Sequence, residues 1–156
     1  MQTKIFSRIR KFKLPLGEYA VFGSALLDVW GIRKAKDLDI IVTPKLYKRL
    51  KSKKEWKEKL ANGFKILENK DANITTVQDK PTDGNYFPDR LQLIKNAVII
   101  KGIPFVRIEE VIACKKAYNR KKDIKDIKAI ESYVKKHNNK ELSVSKTLKA
   151  YSIKII

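Results

Sequence analysis

The chain predicts a mixed α/β domain: a small sheet with helices packed on one side and a helical pair near the C-terminal end. Two observations carry that expectation. Short apolar runs rich in β-branched residues recur at Tyr19–Phe22, Ile40–Val42, Ile74–Val77 and Val98–Ile100, the pattern of core strands. Between and after them lie segments whose apolar residues follow helical spacing, and the final two of these succeed each other with no strand between.

Taken in order, Ile5, Phe6 and Ile9 fall on one helical face among Lys4, Arg8 and Arg10. They predict a short amphipathic helix that Leu14-Pro15-Leu16-Gly17 ends. Tyr19–Phe22 is a buried strand, Gly23-Ser24 a tight turn, and Ala25–Trp30 a short helix with Gly31 as its stop. Asp37–Thr43 is the next strand. Pro44 suits the first turn of a helix and Thr43 its cap. That helix is predicted over 45–60, with Leu46, Tyr47, Leu50, Trp56 and Leu60 inward and its lysines outward.

Phe64–Leu67 and Ile74–Val77 read as two strands joined by the turn formers of 68–73. Residues 78–90 contain Pro81, Asp83-Gly84, Asn85 and Pro88 and read as a surface loop, a common site of substrate contacts. Leu91–Asn96 is a short helical turn. Val98–Ile100 and Ile103–Ile108 form a hairpin around Lys101-Gly102, and Pro104 assigns its strand to an edge. Helices over Glu109–Asn119 and Asp123–His137 follow, the second with Ile124, Ile127, Ile130 and Val134 as its buried stripe. The organisation is thus one domain over 1–137 and a basic tail over 138–156 without a clean period.

Charge narrows the class of partner. Thirty-six Lys and Arg against 17 Asp and Glu give +19, a field that draws in polyanions, so RNA or another nucleic acid is the expected partner. A single cysteine, Cys114, excludes an internal disulfide and a cysteine-rich zinc site. It is expected to pack on the apolar side of a helix, and a cytoplasmic location fits. No apolar run approaches the roughly 18 residues needed to span a bilayer, so no membrane partner is expected. The basic N-terminus lacks the apolar core of a secretory signal. His137, the lone histidine, sits near a helix end and reads as structural.

The chemistry concentrates in residues 19–42. Side chains along a strand repeat every two residues, so Asp37 and Asp39 are expected on one face. Two carboxylates held together repel unless a cation lies between them, and hard oxygen ligands favour Mg²⁺. The Gly23-Ser24 turn just upstream presents backbone N–H groups at a helix start, where phosphates bind.

The stretch Val21-Phe-Gly-Ser-Ala-Leu, continuing to Gly31-Ile-Arg33 and Asp37-Leu-Asp39-Ile, resembles the signature of the DNA polymerase β-like nucleotidyltransferase superfamily. Within it, the minimal transferases and abortive-infection type toxins are most similar. A second block supports this: Ile108-Glu-Glu-Val through Lys115, Arg120, Lys122-Asp123 and Asp126 resembles those families' C-terminal helical pattern. Together the blocks and their spacer span roughly residues 19–134.

The resemblance implies a small nucleotidyltransferase-fold sheet and a Mg²⁺-dependent transfer of a nucleoside monophosphate from a nucleoside triphosphate to a hydroxyl; the +19 charge makes RNA, such as a tRNA end, the expected acceptor. It implies Asp37 and Asp39 as catalytic metal ligands, Gly23 and Ser24 at the phosphates, and Lys115 offsetting charge on the leaving pyrophosphate. Arg33 and Arg120 join the nucleotide-binding set, Arg33 either at phosphates or as a brace against the carboxylates. Asp123 and Asp126 read as structural residues in the first turn of the last helix. Such sites normally add a third carboxylate on a later strand, where this chain holds Asn73 or Thr75. That departure keeps open a nucleic-acid-binding protein with a degenerate transferase core. A transferase acting on an antibiotic or protein hydroxyl is the other alternative.

Overall fold

The computed structural model describes residues 3–61, 64–76 and 88–137. Residues 78–87 of the loop expected over 78–90, Val77 and the tail over 138–156 lie outside the described residues, and Arg90 of that expected loop opens a helix. The chain runs α1 (Ile5–Arg10), β1 (Tyr19–Phe22), α2 (Ala25–Val29), β2 (Asp39–Val42), α3 (Pro44–Lys51), β3 (Lys57–Ala61), β4 (Phe64–Glu68), β5 (Asn73–Thr76), α4 (Arg90–Lys95), β6 (Val98–Ile100), β7 (Ile103–Phe105), α5 (Ile108–Tyr118) and α6 (Lys121–His137). The strands form one mixed sheet in the order β3-β4-β5-β2-β1-β7-β6. The expected α/β class and C-terminal helical pair are both present.

The period-2 alternation of β1 and β2 divides the core. Tyr19, Val21, Ile40 and Val42 face a main cluster completed by α1, α2, α3, α5 and α6. Ala20 and Ile41 face the other way, where Leu93 and Ile94 of α4 cover them. Helices therefore lie on both faces of the sheet and not on one side as expected, with α4 the helix on the second face among the described residues.

Several local expectations meet tertiary corrections. The helix predicted over 45–60 stops at Lys51, with Thr43 accepting a hydrogen bond from the Leu46 amide at 3.2 Å as its cap. The chain then turns, and residues 57–61 pair along their whole length with β4. Pairing overrides helix propensity here because Trp56 buries against Phe12 and Tyr47 donates to Glu58 at 2.9 Å. Leu60, expected inward, is exposed.

Pro104 lies in β7, one strand in from the edge formed by β6. The cost is avoided because β1 meets β7 only at the Val21–Phe105 rung, and the Val106 amide donates to Val21 at 2.9 Å. On α6, Ile124 is exposed and Ile127 only partly buried, while Asp123 and Asp126 occupy the inner face with Ile130 and Val134.

Candidate functional site

Two local devices bring the site together. Gly23 adopts φ +76, in the left-handed region that favours glycine, and so turns the chain sharply from β1 into α2. A Cβ at Gly23 would stand 3.6 Å from Asp39 Oδ2, which measures how closely this turn approaches the carboxylate. On the other side, Asn69 closes the β4–β5 turn by accepting from the amides of Asp71 (2.7 Å) and Ala72 (2.8 Å). The Asn73 amide then donates to the Leu38 carbonyl at 2.9 Å, setting β5 parallel to β2 with Asn73 opposite Asp39.

These elements border a cleft of ≈ 360 Å³ at the start of β2. Its wall includes all seven site residues expected from the sequence: Gly23, Ser24, Arg33, Asp37, Asp39, Lys115 and Arg120. Their relations differ from expectation in three respects.

The first concerns the acids. β2 begins at Asp39, so Asp37 lies in the preceding loop, exposed, and not on a strand rung. Strand periodicity does not set its direction, although it borders the same cleft. Asp39 is half-buried, and loss of solvent raises its pKa. A weak hydrogen bond from Asn73 Nδ2 (3.4 Å) opposes that rise, the charge on Asp37 adds to it, and Lys122 and Lys115 oppose it. A carboxylate short of compensating positive charge is suited to a cation. The Ser24 side chain makes no capping hydrogen bond to α2.

The oxygen-rich set of Asp37, Asp39 and the Ser24 hydroxyl fits Mg²⁺, which is commonly held by one or two carboxylates together with substrate phosphates and water. No cluster of three or more His, Cys, Asp or Glu suited to a metal occurs among the described residues. The described residues alone therefore make no closed cage of such ligands.

The second difference concerns the cations. Lys115 is buried, and its Nζ lies 2.8 Å from Asp126 Oδ2 and 3.8 Å from Asp123 Oδ1. Arg33 grips Asp126 with two bonds, Nε to Oδ1 at 2.7 Å and Nη2 to Oδ2 at 2.6 Å. Arg120 holds Asp123 through Nε at 2.6 Å and through its backbone amide at 3.1 Å. Arg33 is thus a brace, but its carboxylate is Asp126 and not the Asp37–Asp39 pair.

Burial alone would raise the carboxyl of Asp126; bonds from Arg33 and Lys115 outweigh it and hold the pKa at about 2. Asp123 is likewise held below the usual range, its burial outweighed by Arg120. The bond to Asp126 raises the pKa of Arg33, and the bond to Asp123 raises that of Arg120. Asp123 stands in the first turn of α6 as expected, while Asp126 sits a turn further on as the hub of the network.

Lys122 is the third difference. It borders the cleft, bears on Asp39 electrostatically, and makes no ion pair among the described residues. The sequence signal was its place beside Asp123 at the start of α6; only the fold brings it toward Asp39. Asn73, one of two positions considered for a third acid, proves to be the residue paired with Asp39.

Cys114 borders the cleft from α5, and burial pushes its thiol up to about 11, in keeping with a packing role. His137 donates from Nδ1 to the Tyr133 carbonyl at 2.9 Å and stacks on the Tyr133 ring, in keeping with a structural one. Among the described residues no helix is long and apolar enough to cross a membrane. No family model matches the chain, and no curated protein or solved structure is significantly similar to it.

Proposed function

We propose that this cleft binds a nucleoside triphosphate with Mg²⁺ and transfers its nucleoside monophosphate to a hydroxyl of RNA. The observation that carries the proposal is one juxtaposition: the Gly23 turn approaches Asp39, with Asp37 and the unpaired Lys122 bordering the same cleft. The resemblance of residues 19–42 and 108–126 to nucleotidyltransferases supports the same chemistry.

Asp37 and Asp39 would hold Mg²⁺, which when bound neutralises phosphate charge and polarises the phosphorus under attack. The backbone amides around Gly23 and Ser24 receive the outer phosphates. Lys122 supplies positive charge to the departing pyrophosphate, because Lys115 is committed to Asp126 and Asp123. Lys115 instead keeps those two acids from adding negative charge at the phosphates. In the transfer, the acceptor oxygen forms a bond to the α-phosphorus and the α–β bridging bond breaks. Pyrophosphate carries away the electron pair. The hydroxyl proton passes to solvent, since the amide of Asn73 accepts none. The +19 charge favours a polyanionic acceptor over a cationic drug.

Asn73 beside Asp39 specifically favours a second reading, nucleotide or nucleic-acid binding without transfer. Incubation with labelled triphosphates and total RNA decides. Label on RNA with the wild type and none with Asp39→Ala is the expected result. Label on protein alone overturns the RNA acceptor. A melting temperature raised by Mg²⁺ and triphosphate, with no label transferred, establishes the second reading.

A further inference from the structure

The α6 helix presents its charges unevenly. At 100° per residue, Lys121, Lys125, Lys128, Lys135 and Lys136 fall within about 100° of arc on one side, and all are exposed. Asp123, Asp126, Ile130 and Val134 occupy the opposite side and are buried. The rotation of the helix is pinned at two points. Arg33 and Lys115 clamp Asp126, and about two turns further on Tyr133 stacks on Trp30, with ring centres 4.9 Å apart and planes 10° from parallel. The lysines therefore have no freedom to turn inward.

None of these five lysines makes an ion pair among the described residues. Lysines three or four positions apart on a helix repel by about 0.2–0.5 kcal/mol per pair. Lys121 with Lys125, and Lys125 with Lys128, incur this cost with no acid between them on that face. Some lysines elsewhere are offset, Lys51 by Glu58 at 3.2 Å and Lys59 by Glu68, whereas Lys45, Lys48 and Arg49 of α3 are exposed and, like the α6 row, make no ion pair among the described residues. The row extends about 22 Å along the helix, and its first turn adjoins the cleft through Lys122. The basic side chains of α3 differ in position, since that helix leaves the end of β2 opposite Asp39.

We infer that the outer face of α6 is the docking track for the polynucleotide acceptor, guiding its phosphate backbone toward the cleft. This rests on the transferase proposal for the identity of the ligand's role, while binding to the track itself requires neither metal nor nucleotide. Spacing along the row suits successive phosphates, and the absence of aromatic side chains on that face points to backbone contact without base selection.

The test uses the full chain, a fluorescent single-stranded RNA oligonucleotide, EDTA and no nucleotide, with binding measured across a salt series. Replacing Lys121, Lys125 and Lys128 by Gln removes three phosphate contacts, and the slope of log K against log salt is expected to fall by about 2. Replacing Lys45, Lys48 and Arg49 by Gln removes equal charge from α3 and is expected to leave the slope nearly unchanged. Equal losses from both variants, or an unaltered slope in the α6 variant, overturn the track. Circular dichroism and melting of each variant confirm that the exposed substitutions leave the fold intact. Transfer assays with the wild type and Asp39→Asn separate the two proposals: no transfer by the wild type sinks the enzyme, while the α6-specific loss of RNA binding still upholds the track. If the wild type transfers label, the α6 variant is expected to show a raised KM for RNA, and an unchanged KM overturns the inference.

Discussion

Asn73 donates its side-chain amide to Asp39 across 3.4 Å on the rung where β5 and β2 run parallel. The amide gives the half-buried carboxylate a neutral donor at a position where a second acid would compete with it. The rung between β2 and β5 therefore carries one carboxylate, Asp39, while Asp37 borders the same cleft from the preceding loop.

Asn73→Asp is therefore expected to change metal response in a definite direction. Without Mg²⁺ the added carboxylate repels Asp39 and lowers the melting temperature. With Mg²⁺ the variant regains more stability than the wild type does. Melting scans with and without the metal check this, and identical metal-induced shifts would refute it.

Removing the hub of the buried network is expected to be costly. Asp126→Ala strands Lys115 beneath the cleft and frees Arg33, and breaking such a buried pair costs about 3–5 kcal/mol. Because Arg33 remains partly solvated, about 2–4 kcal/mol is the expected loss in urea unfolding. A loss below half a kcal/mol would mean that water compensates both cations.

The same carboxyl gives a pH signature. Its folded pKa of about 2 lies below the ordinary 3.8, so the folded state binds the proton less readily than the unfolded chain. The stabilisation is fully present above the ordinary value and disappears as pH falls through about 2. Stability curves of wild type and Asp126→Asn should converge across that window. Curves that stay parallel down to pH 2 would assign the acid sensitivity to other groups.

Cys114 is expected to resist alkylation. With its thiol raised to about 11 by burial, almost none is thiolate at pH 8. Iodoacetamide should label the native chain slowly and the urea-unfolded chain rapidly, as read by intact mass. Rapid native labelling would contradict the burial.

Gly23 and Gly31 share φ +76, yet only Gly23 has a side chain close to the added methyl position. Alanine at either position costs about 1–2 kcal/mol from the left-handed backbone. Gly23→Ala is expected to impair triphosphate binding as well, whereas Gly31→Ala leaves it intact. A nucleotide titration monitored by melting compares them, and equal binding by both variants would separate the Gly23 turn from the phosphates.

Much of this architecture was legible from local chemistry. The amphipathic Ile5, Phe6 and Ile9, the Thr43-Pro44 helix start and the Lys101-Gly102 hairpin each declare themselves through near neighbours in sequence. The Gly23-Ser24 turn and the acids Asp37 and Asp39 also lie within one short stretch and border one cleft, whereas Arg33, Lys115 and Arg120 were expected there from the family resemblance alone. The strand over 57–61 was not legible, since its lysine and glutamate alternation is satisfied only by partners on β4 and α3. Nor was the burial of Asp126 on a face that hydrophobic spacing assigned to Ile124.

Sequence by itself determined the α/β class, the helical pair and the strong positive charge, because these depend on composition and short-range periodicity. Tertiary structure alone decided which charges are spent and which are free. Arg33 and Lys115 reach Asp126 from positions 93 and 11 residues away in the chain. Asn73 meets Asp39 across 34 residues. Ion pairing falls off steeply with distance and burial, so the partner of each charge is set by the packing of β2, β5, α5 and α6, and no local pattern encodes it.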